Sequence, residues 1–178
     1  MEVSKGTMPS ISNAREGAMT AEEIAQCVLD IASWLAEHAG GAGKDFANRP
    51  PPSPSDLSSL ADALAPTPLP PSLAEVLRLH DGGILLFEFV GLSTGEIAQA
   101  VAEGRKDEKW TAGMVPIARN GDGELLVVDE EGVRSWSEAD GKGAVEAASL
   151  PAYLESYCTR MLAGKLEYME DCGVMEVA

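Results

Sequence analysis

The stretch from Met114 to Trp136, MVPIARNGDGELLVVDEEGVRSW, constrains the fold more than any other part of the chain. Short, largely apolar runs at Met114 to Ala118, Glu124 to Asp129 and Val133 to Ser137 are separated by the turn-forming clusters RNGDG and DEEG. Runs this short, bounded by such turns, satisfy their backbone groups by pairing with one another. The expectation is an antiparallel meander, which every other element must flank.

Those other elements are mostly helices. Thr20-Ala-Glu-Glu23 is a capping box, and Ile24, Val28, Ile31 and Leu35 then recur at helical spacing, predicting a helix to about His38. Gly40-Gly41-Ala42-Gly43 is expected to end it. Asn48 to Pro54, with four prolines in seven residues, is expected to be a linker. Ser53-Pro-Ser-Asp56 marks another helix start, with Leu57, Leu60 and Leu64 on one face before Pro66 and Pro68 stop it. Leu73, Val76 and Leu77 predict a helix closed at His80-Asp-Gly-Gly83 by a left-handed glycine. Ile84 to Val90 predicts a strand and Thr94 to about Glu103 a helix. Ser149 with Pro151 opens a last helix whose apolar face includes Leu150, Tyr153, Leu154, Tyr157, Met161 and Leu162. Helices before, between and after the strands define an α+β class. The organisation expected is a flexible N-terminus over 1–19, a helical extension with a Pro-rich linker over 20–68, and the sheet-bearing domain over 69–178.

Charge narrows the function classes. The formal net charge is −16, and Asn120 to Ala178 holds 13 acidic against 4 basic residues, so the last third carries −9 of it. Phosphate binding needs a basic surface, so direct nucleic-acid binding is not expected. The acidic surplus reads either as a solvated face or as a patch that steers a basic partner. No apolar run approaches the roughly 20 residues of a membrane helix, and Met1 to Met19 lacks the basic start and apolar centre of a secretory signal, which points to the cytoplasm. Cys27, Cys158 and Cys172 are odd in number and widely spaced, so they read as reduced thiols; the first two fall on apolar helix faces as small core residues.

The chemical motifs fail on inspection. Gly91-Leu-Ser93-Thr-Gly95 has the form of a nucleophile elbow, but the histidine that would take the serine proton must follow it, and both His38 and His80 precede it. Ser93 or Thr94 therefore reads as a helix cap. GGAGKD lacks the first glycine and the hydroxyl residue of a phosphate loop. Asn120-Gly-Asp-Gly-Glu124 partly imitates a calcium loop, yet Leu125 replaces the turn glycine and a strand follows, so a hairpin turn is expected. With two histidines and no cysteine cluster, no metal, cofactor or catalytic residue is assigned. His80 is expected as a partly exposed residue at a helix end, and Trp34 as core. Trp110 and Trp136 read as core or as binding anchors.

The segment from Leu69 to Tyr168 resembles the SMI1/KNR4 family, or SUKH superfamily. LPPSLAEVLRLHDGG is similar to the family's opening helix and paired glycines, with HDGG where Asn-Gly-Gly is more usual. Trp110 and the MVPIARNGDGELLVVDEEGVRSW stretch are similar to its central strands. SLPAYLESYCTRMLAGKLEY is similar to its closing helix, with a tail closer to fungal members. The resemblance implies a twisted, mainly antiparallel sheet flanked by helices, and a binding role without catalysis. It implies either a bacterial immunity protein that neutralises a toxin or a eukaryotic scaffold or accessory subunit in signalling or cell-wall regulation.

The first expectation is accordingly a protein-binding module whose acidic surface occludes a basic toxin or nuclease. Its contact residues would be Asp122, Glu124, Asp129, Glu130, Glu131, Glu138 and Asp140, with Trp136 as a hydrophobic anchor. Acidic residues on adjacent turns are expected to present one negative field. The alternative is a scaffold that uses the Ile24, Val28, Ile31 and Leu35 stripe as a docking arm.

Overall fold

The computed structural model describes residues 19–177. The flexible N-terminus expected over 1–19 lies, Met19 apart, outside the described residues. The helices are α1 (Ala21–His38), α2 (Gly40–Ala47), α3 (Pro54–Leu64), α4 (Pro71–Leu79), α5 (Thr94–Gly104) and α6 (Leu150–Leu162). The strands are β1 (Leu85–Leu86), β2 (Phe89–Gly91), β3 (Val115–Arg119), β4 (Leu125–Asp129), β5 (Gly132–Ser137), β6 (Gly141–Ala147), β7 (Leu166–Met169) and β8 (Gly173–Glu176). The first six strands form one antiparallel sheet in sequence order, with α5 inserted after β2, and β7–β8 is a separate hairpin. The chain is α+β, as read from its sequence.

Local signals explain most boundaries. Thr20 and Glu23, Ser53 and Asp56, and Ser93 and Glu96 each form a reciprocal capping box that satisfies two amides at a helix start. Leu125 to Val128 are all buried, which requires cover on both faces of the sheet. Leu125 and Trp136 line a recess with Ala100 and Gly104 of α5, while Ile117 lies with Leu150 and Leu154 of α6. The two helices thus supply opposite covers.

The apolar stripe of α1 is spent inside the molecule. Ile24, Val28, Ile31 and Leu35 are 4% exposed or less and join one core with Leu73 and Leu77 of α4 and Leu154 and Met161 of α6. A stripe so placed has no face left for a partner groove, which corrects the docking-arm expectation. No helix among the described residues is long and apolar enough to cross a membrane.

Four further readings need correction. The first helix does end at His38 ahead of Gly40 to Gly43, as expected, but these glycines open helix α2 rather than a linker, with Gly40 turning the chain at φ 58°. A Cβ on Gly43 would sit 1.8 Å from the Leu35 carbonyl oxygen, so this glycine permits close backbone contact between α1 and α2. Ile84 to Val90 is not one strand but the hairpin β1–β2, reversing at Phe87, a non-glycine residue at φ 59°. His80 ends α4 in extended conformation rather than leaving that to glycine. It is only 9% exposed, tilted against the Phe46 ring at 4.4 Å. Finally, Leu162, expected on the apolar face of the last helix, is 69% exposed.

Candidate partner-binding site

Ser93 stands at the N-terminus of α5 as a cap. The Glu96 amide donates to Ser93 Oγ at 3.2 Å, and the Ser93 amide donates to Glu96 Oε1 at 2.9 Å. Asp81 adds a second acceptor, with its carboxylate taking the Thr94 amide at 2.7 Å. The sequence reading missed this role of the HDGG segment, because the acceptor stands 13 residues from its donor. Gly82, at φ 87°, allows that approach: a Cβ there would meet the Ser93 backbone at 2.6 Å. Replacing Ser93 with alanine is expected to cost about 1 kcal/mol in urea denaturation, with aspartate recovering most of it.

Two of the three thiols likewise belong to the core, while Cys172 is exposed. Cys27 and Cys158 are buried side by side across α1 and α6, and the Cys27 thiol donates to the Leu154 carbonyl at 3.5 Å. Burial, with a smaller contribution from Cys158, pushes the Cys27 thiol well above its ordinary range; burial pushes Cys158 up as well. Thiols held protonated in this way are poor nucleophiles.

The acidic turns divide between the two ends of the sheet. Strand pairing places Arg119 opposite Leu125, Leu125 opposite Trp136 and Ser137 opposite Gly141, so the β3–β4 and β5–β6 turns share one end. Asp122, Glu124, Glu138 and Asp140 lie there. Asp129 pairs with Gly132 at the far end of β4, about 13 Å away at the pitch of a strand. Asp129, Glu130 and Glu131 lie on that second turn. In an antiparallel meander successive turns alternate ends, so the single field expected from adjacent turns is two separate fields.

At the first end, the turn is built by Asn120. Its Oδ1 accepts the amides of Asp122 at 3.0 Å and Glu124 at 2.9 Å, and its Nδ2 donates to Glu124 Oε1 at 2.9 Å. Gly123 takes φ 87°, which closes the hairpin. Asp122, Glu138 and Asp140 are exposed and Glu124 is half-buried. Lys109 joins this end by donating its ammonium to the Glu138 carbonyl at 2.6 Å.

At the second end, the charges are matched inside the chain. Arg134 Nε lies 3.3 Å from Asp129 Oδ2, both side chains being 8% exposed or less, and Arg134 also pairs with Glu131. Asp129 further accepts the amides of Glu131 and Gly132. Among the described residues, Glu130 alone of this group is exposed without such a pairing. Trp136 is also turned inward: it is 4% exposed and meets Trp110 edge to face with centroids 5.0 Å apart. Its burial corrects the reading of Trp136 as an anchor, while Trp110 is half-buried beside it.

A sequential antiparallel sheet covered by helices on both faces, with polar turns and a serine that caps the inserted helix, defines an α+β protein of the SMI1/KNR4 kind. The sequence model of the SMI1 / KNR4 family (SUKH-1) matches residues 51–156, more than half of the chain, and the chain belongs to that family. The match begins before the resemblance read at Leu69 and takes in α3. Comparison with curated proteins finds no match.

Proposed function

We propose that the chain is a non-enzymatic, cytoplasmic protein-binding module of immunity type, which neutralises a basic toxin through the acidic end of its sheet. The observation that carries this reading is the gathering of Asp122, Glu124, Glu138 and Asp140 on two turns at one end, in a chain of net charge −16. Family membership is compatible with an immunity or a scaffold role. Fixed carboxylates on short hairpins accelerate encounter with a basic surface and fix its orientation, with less effect on the lifetime of the complex. Asp129 and Glu131 are set aside because Arg134 matches them, and Trp136 because it is buried. The extension over 20–68 serves in this proposal as a structural flank of the unit over 69–178.

The test is capture of partners by the tagged full chain from its native lysate, eluted with stepped salt, followed by kinetics with the captured protein. Reversing Asp122, Glu124, Glu138 and Asp140 to lysine is expected to slow association about tenfold or more and to flatten its salt dependence. Unchanged association would overturn the acidic-end reading. Capture of a salt-resistant set of several subunits would replace immunity with a scaffold role.

A further inference from the structure

A second concave region lies where the β1–β2 turn, β6, α6 and the C-terminal hairpin meet. It encloses about 360 Å³ and is lined by Phe87, Glu88, Glu146, Tyr153, Met175 and Glu176, among others. That volume lies at the small end of ligand pockets and suits one side chain. None of these residues belongs to the acidic turns discussed above.

Among the described residues the pocket is short of positive charge. Its nearest cation, Arg160, is already engaged: its guanidinium lies 3.0 Å from Glu176 Oε2 and stands over the Phe87 ring at 5.2 Å. Glu88 takes only the Asn120 amide, at 2.8 Å, and Glu146 has no hydrogen bond or ion pair among the described residues. Partial burial, with the like charge of Glu88, pushes the Glu146 carboxyl above its ordinary range.

A second observation is independent of the carboxylates. Tyr153 is 6% exposed and lines the pocket, yet its hydroxyl makes no hydrogen bond among the described residues. The charges acting on that hydroxyl are those of Glu146, Arg160 and Glu88, which places it at the polar end of the pocket. The ring is buried but the hydroxyl itself opens to the pocket, where water or a ligand group can meet it. Phe87 and Tyr153 meet edge to face at 6.3 Å, forming an aromatic wall. The wall is held firmly: the Phe87 carbonyl accepts the Val174 amide at 3.0 Å.

We propose that this pocket receives an arginine side chain from a protein partner. Two unmatched carboxylates supply the countercharge, the Tyr153 hydroxyl accepts a guanidinium N–H, and the aromatic wall offers a face for stacking. Arg160 against Phe87 and Glu176 already displays that combination at one rim. Arginine is favoured over lysine because a planar fork can engage a carboxylate and a ring together, which a compact ammonium does less well. A metal ion is a poorer fit, since no group of three ligands among the described residues could hold one. The inference depends on the proposed protein partner only for the source of the arginine.

The test uses the full chain with 13C-methyl methionine and acetyl-tetra-arginine amide as the probe, with tetra-lysine and tetra-citrulline peptides as controls. The arginine peptide is expected to shift the Met175 methyl most, tetra-lysine less and tetra-citrulline not at all. The Glu88→Gln/Glu146→Gln double variant is expected to weaken binding roughly fivefold or more. Tyr153→Phe, which keeps the ring, is expected to weaken it by a smaller factor, with melting temperatures showing that both variants remain folded. Binding that survives the Glu88/Glu146 change, or that vanishes instead with the Asp122/Glu124/Glu138/Asp140 reversal, would overturn the pocket while leaving the acidic-end proposal standing. Peptide binding that persists in that reversal variant, alongside unaltered partner association, would support the pocket and overturn the acidic end.

Discussion

Replacing Arg134 with methionine is expected to lower stability by about 3–5 kcal/mol, one of the two largest effects considered for this chain. The reason lies in what remains. Asp129 would keep its buried carboxylate beside the β4–β5 turn with two backbone amides and no cation, where it now has the guanidinium at 3.3 Å. Arg134 also donates to the Gly143 carbonyl at 3.3 Å, so the loss would loosen β6 as well. Urea denaturation at neutral pH measures the difference. Adding Asp129→Asn should restore a substantial part, because the penalty is that of a stranded charge and the pair is coupled. A loss under 1 kcal/mol for the single change would contradict the buried-pair account.

Deleting the chain before Ser53 should have an effect of comparable or greater size. The family match begins at residue 51, which would suggest that α1 and α2 are dispensable. Packing argues otherwise. Ile24, Val28, Ile31 and Leu35 are nearly or wholly buried in the common core, and each is worth about 1.5–3 kcal/mol on full burial. Their sum rivals the whole stability of a typical domain, about 5–15 kcal/mol. The shortened chain is therefore expected to lose its cooperative thermal transition. Leu29→Ala, on the same helix but 48% exposed, should change stability by no more than about 0.5 kcal/mol. A shortened chain that melts near the intact one would instead make the first helices an appendage.

The sequence was most legible where a structural decision is made within a few residues. Thr20 with Glu23 and Ser53 with Asp56 begin helices by contacts spanning three positions, and RNGDG and DEEG turn the chain wherever they occur. Legibility failed where distant partners decide. GGAGKDFA reads as a helix breaker until the Leu35 carbonyl is placed against Gly43. The glycine-bearing GKGAVEA became β6 only because β5 was there to pair with it. The turn carboxylates could be named from sequence, but which end each occupies depends on strand register. The arginine pocket was invisible, since Phe87, Glu146 and Glu176 meet only through tertiary structure.

The ladder between β5 and β6 has one more implication. β6 is the last strand of the sheet, and an open strand is ordinarily a template on which another chain can polymerise. Here the register shifts twice, between Val133 and Arg134 and again between Arg134 and Trp136. The resulting kinks deny an incoming strand a straight run of backbone donors and acceptors. Lys142 and Glu146 stand exposed on the same strand. The irregular ladder thus makes the exposed border of the sheet a poor seed for fibrillar stacking.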